Sequence, residues 1–124
     1  MNKVPSKVSS GRFAMAGWLL LGGVAGAVAQ DVMLQKLPFI RVEAEDAKVR
    51  VLRFAAPAGG ASAMHSHPQT VVVVLKGGRV RYTFPDGSQK VVELKTGDAM
   101  IRPAVTHRDE AIDPVEAVLV EIKQ

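Results

Sequence analysis

Residues 64–78 read MHSHPQTVVVVLKGG and set His65 and His67 two positions apart, ahead of four consecutive valines. Four β-branched residues in a row favour an extended strand over a helix. Apolar side chains on both faces of that strand mean that both faces are covered. In extended chain, side chains two apart share a face at roughly 6.5 to 7 Å spacing, near enough for two imidazoles to converge on one ion. If the alternation continues unbroken from the histidines, Gln69, Val71, Val73 and Leu75 point inward with them, while Val72 and Val74 point out. On that phase Gln69 is a candidate auxiliary ligand, and Val71 and Val73 are candidate lining of a pocket.

Outward from this stretch the period of two persists. FIRVE, KVRVLRF, RVRYTF, KVVEL and EAVLVEI are short, valine-rich segments at about ten-residue intervals, a pattern that predicts a sandwich or barrel of antiparallel strands. Gly59-Gly60, Gly77-Gly78, Pro85-Asp86-Gly87 and Thr96-Gly97-Asp98 punctuate them, and FPDGSQK reads as a hairpin turn. Asp98 is assigned to its turn. No helical periodicity and no internal repeat follow residue 29. Tyr82 shares one face of its strand with Phe84, so it is either a phenol near the pocket, and then candidate lining, or a packing residue. Arg53 and Arg102 are either partners for a ligand carboxylate or solvated strand-face cations.

The first 29 residues stand apart. Lys3, Lys7 and Arg12 precede a 17-residue apolar run cut by glycines, and Ala27-Val28-Ala29 supplies small residues for cleavage. This predicts a secretory signal peptide cut after Ala29. The alternative, an uncleaved anchor, is disfavoured by the short, glycine-weakened run. The expected layout is therefore signal peptide 1–29, N-terminal arm and first strand 30–48, and β-barrel 49–124, in an exported protein, secreted or periplasmic, with no stable membrane anchor after cleavage. Of the sixteen Lys and Arg residues three lie in the leader, which leaves thirteen against twelve acids. A nearly neutral chain without a basic stretch excludes nucleic acid as a partner class. The absence of cysteine restricts any metal site to nitrogen and oxygen donors. About 95 residues bury only a small core, and with the two-sided valine strand this predicts a homodimer.

His107 is the only other histidine. It follows GDAMIRPAVTH, a glycine turn, an apolar strand and a proline, as an antiparallel neighbour returning to the same interior would. Imidazole nitrogens suit iron, zinc, manganese, nickel and copper, so His65, His67 and His107 together are the candidate metal ligands for a divalent transition metal. The following HRDEAIDP carries Asp109, Glu110 and Asp113, any of which would orient the His107 ring; a solvated acidic loop is the simpler account.

These residues resemble the two motifs of the cupin superfamily, small double-stranded β-helix or jelly-roll barrels. The first motif is a glycine, five residues, His-x-His, three or four residues, a glutamate, six residues and a glycine. Gly59, His65, His67 and Gly78 match it, with Val71 standing for the glutamate. The second is a glycine, five residues, Pro-x-Gly, two residues, a histidine, three residues and an asparagine. Gly97 and Pro103 match, Val105 and Ala111 replace the glycine and asparagine, and His107 arrives one residue early. The resemblance implies an all-β, single-domain cupin barrel in which three histidines hold a metal without the usual glutamate. It further implies a small-molecule ligand or substrate and, as one reading, a metal-dependent enzyme of dioxygenase-like or Lewis-acid chemistry. The other reading is a non-catalytic small-molecule-binding or structural cupin without metal. No catalytic residue is assigned from sequence.

Overall fold

A computed structural model describes residues 37–124. The expected leader and most of the arm fall outside the described residues. Nine strands follow one another: β1 (Ile40–Glu45), β2 (Val49–Ala56), β3 (His65–His67), β4 (Thr70–Lys76), β5 (Gly78–Thr83), β6 (Gln89–Leu94), β7 (Ala99–Arg102), β8 (Val105–Ala111) and β9 (Val115–Ile122). They form two antiparallel sheets, one of five strands in the order β1-β2-β9-β4-β7 and one of four in the order β3-β8-β5-β6. Among the described residues no helix occurs. The all-β expectation holds.

Alternation of apolar and polar residues sets the faces. Along β9, Val115, Ala117, Leu119 and Glu121 are buried while the residues between them are half-buried. Leu52 is fully buried in β2, and Val72 and Val74 are each 1% exposed in β4. With Val80 of β5 and Leu94 of β6 they form the core between the sheets. At FPDGSQK the hairpin closes as expected: Gly87 takes φ +87°, which suits glycine, and Asp86 Oδ1 accepts from the Ser88 amide and hydroxyl. The Asp98 carboxylate likewise accepts from the Lys95 amide across the Gly97 turn.

One expectation about faces is overturned. His67 and Thr70 are both buried, three positions apart, and the buried set then continues through Val72 and Val74. Val71 and Val73 are half-buried on the outer face, and Gln69 and Leu75 are exposed. The alternation restarts because the chain changes sheets at Pro68-Gln69: β3 pairs with β8, β4 with β9 and β7. Proline has no amide to continue a ladder, Thr70 Oγ1 donates to the Pro68 carbonyl, and the Gln69 carbonyl is taken by the Ile122 amide. Gln69 as auxiliary ligand and Val71 and Val73 as pocket lining are therefore withdrawn.

The acidic segment after His107 is no loop. Residues 105–111 form β8, paired with β3 on one side and β5 on the other. Its charged residues alternate, so that Arg108 is exposed while Asp109 turns toward the interior and Glu110 pairs with Arg81 at 2.8 Å.

Candidate metal centre

Strand pairing brings the histidines together. In the β3–β8 ladder His65 lies opposite His107, and His67 opposite Val105. The side-chain period of two in β3 puts His65 and His67 on the inner face, and the register adds His107 beside them. Ring centroids are 4.8 Å apart for His65–His67, 4.9 Å for His65–His107 and 5.4 Å for His67–His107. One ring nitrogen from each lies within 4.8 Å of the others, and all three residues are buried.

Each ring is held by a different device. His65 Nδ1 donates to the Ala63 carbonyl at 2.7 Å, which leaves its Nε2 as a lone pair directed inward. His67 Nδ1 lies 2.7 Å from Oε2 of Glu121, a side chain only 3% exposed. A carboxylate there requires Nδ1 to carry the proton, so His67 Nε2 also presents a lone pair. The Tyr82 ring stacks on His107 at 4.9 Å. Nε2 of His65 and Nε2 of His107 are buried with no hydrogen-bond partner. Burying unpaired polar atoms costs free energy, and convergent imidazole nitrogens without donors are what a metal ion would satisfy. The donor set fits a borderline transition metal.

Electrostatics keep the rings available. Burial pushes His107 down to about 3, helped by the neighbouring His65 and His67 and by the Arg102 guanidinium. Burial also lowers His65, against the opposing effect of its bond to Ala63, with His67 adding to the depression. Both rings are therefore neutral at physiological pH, the form that binds metal. Desolvation raises the Tyr82 phenol above its ordinary value, so it stays protonated beside them.

The cluster opens onto a cavity between the two sheets. Its apolar wall includes Phe54, Val72, Val80 and Leu119, and its polar end has His67, His107, Tyr82, Arg102 and Asp109. Tyr82 thus lines the cavity, as one of its two sequence readings had it. Of the two candidate arginines, Arg102 lies over the Tyr82 ring at 5.4 Å and lines the cavity, whereas Arg53 pairs with Glu43 and Glu116. The inward residue nearest the expected glutamate position is Val72, with four residues between it and His67. Either spacing puts a valine where a carboxylate ligand would be.

Glu121 was missed in the sequence. The signal was present in EAVLVEI, where Glu121 is in phase with Val115, Ala117 and Leu119. A carboxylate on the buried stripe of a strand needs a partner.

No protein-family model matches the sequence, and a search of curated proteins finds no match. Solved structures do match. A cupin domain from Bordetella pertussis Tohama I aligns with a TM-score of 0.62 at 27% identity, covering 68% of this chain and 92% of that one. A cupin superfamily protein from Desulfitobacterium hafniense DCB-2 aligns with a TM-score of 0.54 at 16% identity, covering 68% and 76%. The chain is a small cupin. Its two sheets are the jelly-roll expected of a cupin, and its three histidines sit close together in the barrel, positioned to hold a metal ion.

Proposed function

We propose that this cupin is an exported protein that binds one divalent transition metal ion through His65, His67 and His107 and presents it to a small molecule in the barrel. The observation that carries the reading is the pair of buried, unpartnered Nε2 atoms on His65 and His107, converging with His67. When bound, an ion with open coordination positions supplies Lewis-acid activation or, as iron, oxygen chemistry. The chain's own residues do the rest. Glu121 and the Ala63 carbonyl fix the ring orientations, the apolar wall excludes water, and Arg102 places a cation at the polar end, suited to a carboxylate on the bound molecule. Export rests on the leader-like N-terminus.

Self-association belongs to the same reading. Across the outer face of the five-stranded sheet, Val51, Val120, Val71 and Ile101 stand in one register row, and Val118 and Val73 pair beside it. Ile101 is 69% exposed. A contiguous apolar row on a sheet face fits a second copy of the chain.

The test is the metal content of the purified protein by elemental mass spectrometry, beside a His107→Ala variant. About one equivalent of a transition metal, lost in the variant, is the expected result. No metal in either protein, after incubation with iron, zinc, manganese, nickel and copper in turn, overturns the proposal.

A further inference from the structure

Asp109 follows His107 by two residues on β8, so both side chains project from the same face of the sheet. Its Oδ2 lies 4.0 Å from Nε2 of His65 and 3.9 Å from Nε2 of His107. The carboxylate is no farther from those nitrogens than the three ring nitrogens, spread over as much as 4.8 Å, are from one another. It is also anchored. Ser62 Oγ donates to Oδ1 at 2.7 Å and accepts from the Asp109 amide at 3.1 Å, and the Ser62 amide donates to the Asp109 carbonyl at 2.9 Å. One oxygen is thereby spent on Ser62 and the other is aimed at the histidines, in a side chain 12% exposed.

That arrangement sets an anionic acceptor against a ring nitrogen that is itself an acceptor. His65 gives its proton to Ala63, and the nitrogen facing Asp109 has no partner of its own. Acceptors converging on one buried point repel unless a cation lies between them. Metal bonds of about 2.0 to 2.2 Å put the ligands of one ion about 3 to 3.5 Å apart, so gaps of 3.9 and 4.0 Å close with small side-chain shifts.

We propose that Asp109 is the anionic fourth ligand of the ion held by His65, His67 and His107. It supplies from β8 the carboxylate that β4 lacks, where valine stands instead. The assignment rests on the metal reading of the site. It makes the donor set three nitrogens and one oxygen, lowers the charge of the loaded site by one unit, and favours iron, manganese or zinc over softer ions.

The experiment titrates Co2+ against a competing chelator into the metal-free full chain, Asp109→Asn and His107→Ala, and records the cobalt d–d absorption of each. Asparagine keeps an oxygen for the Ser62 hydroxyl, so the strand contacts survive, and metal-free melting curves check the fold. The expected result is at least about 100-fold weaker Co2+ binding by Asp109→Asn, beyond the loss caused by removing a group that only orients a ligand, with a shifted spectrum. Unchanged affinity and spectrum in Asp109→Asn, with binding lost in His107→Ala, overturn the Asp109 assignment alone. A wild-type chain that binds no Co2+ overturns the metal reading and this assignment with it. Should Asp109→Asn not fold, the wild-type chain labelled with 13C-carboxyl aspartate decides the matter. Co2+ shifts one aspartate carboxyl resonance far from the rest if Asp109 is a ligand, and an unshifted set overturns the assignment.

Discussion

Replacing Glu121 with glutamine separates the orientation of His67 from the presence of its ring. The carboxylate is almost fully buried, receives His67 Nδ1 at 2.7 Å on one oxygen, and lies 3.4 Å from Arg50 Nη1 on the other. A glutamine amide matches one of these neighbours and opposes the other. With its oxygen toward His67, its NH2 group meets the Arg50 guanidinium, donor against donor; with its NH2 toward His67, the ring must reverse its tautomer and turn an N–H toward the centre. The second outcome blocks the ligand lone pair, and the first weakens the charge-assisted bond that fixes the ring. Loss of a carboxylate that holds the ring of a ligating histidine lowers metal affinity about 10- to 100-fold, which is about 1.4 to 2.8 kcal/mol. In the metal-free chain, a hydrogen bond to a charged group is worth about 1.5 to 3 kcal/mol. Zinc affinity by chelator competition and metal-free urea unfolding give the two numbers independently. Zinc affinity within about twofold of wild type in a folded variant would refute the claim that Glu121 orients His67.

Leu52 is fully buried in β2, so Leu52→Ala is expected to cost about 2 to 5 kcal/mol of stability; urea unfolding with an unchanged slope and a smaller loss would mean that the core collapses around the gap. Asp113 chelates Arg79, accepting from its Nε at 2.8 Å and its Nη2 at 2.9 Å, and this partner holds the carboxyl at about 2, against an ordinary 3.8. A depressed carboxylate contributes stability that is present above the unfolded value and lost as pH falls through the folded one. The urea midpoint of wild type is therefore expected to exceed that of Asp113→Asn at pH 5 and to converge with it near pH 2, and a gap independent of pH would remove the ion pair as its cause. Ile101→Lys puts a charge in the middle of the outer apolar row. Light scattering is expected to show a dimer for wild type and a folded monomer for the variant, and a wild-type monomer at micromolar concentration would end the dimer proposal.

The strands were legible because valine-rich segments of period two, cut by glycine turns, have few other ways to bury themselves. His107 was placed with His65 and His67 from the same logic, since the segment beyond the Gly97 turn and Pro103 returns antiparallel to the same interior, where β8 pairs with β3. The phase of β4 was not legible. Counting by twos from His67 assumes a continuous strand, and Pro68 ends the ladder and passes the chain to the other sheet, so the count is off by one from Thr70 onward. The charge-rich segment of β8 was misread for a related reason. Three charged residues in succession look solvated, yet in a strand two of them serve the outer face and the middle one is carried inward.

The two carboxylates near the centre differ in how far the sequence showed them: Glu121 was missed although it stands in phase with the buried stripe of its strand, whereas Asp109 was one of three acids named as able to orient His107, and only the inward phase of β8 singles it out. Glu121 stands on β9 in the five-stranded sheet and Asp109 on β8 in the four-stranded sheet, so carboxylates face the histidines from both layers of the barrel. This accounts for how valine at position 71 or 72 is tolerated. A carboxylate at that place would serve the cluster from β4, whereas here Glu121 fixes a ring and Asp109 faces the ring nitrogens. The two duties have different sensitivities. Neutralising Glu121 alters the aim of one ring, and neutralising Asp109 alters the charge at the centre itself. If both assignments hold, their effects on metal affinity are coupled through the shared ion, and the double variant Asp109→Asn, Glu121→Gln departs from the sum of the single free-energy changes. Simple additivity would instead mean that one of the two carboxylates acts on the fold alone.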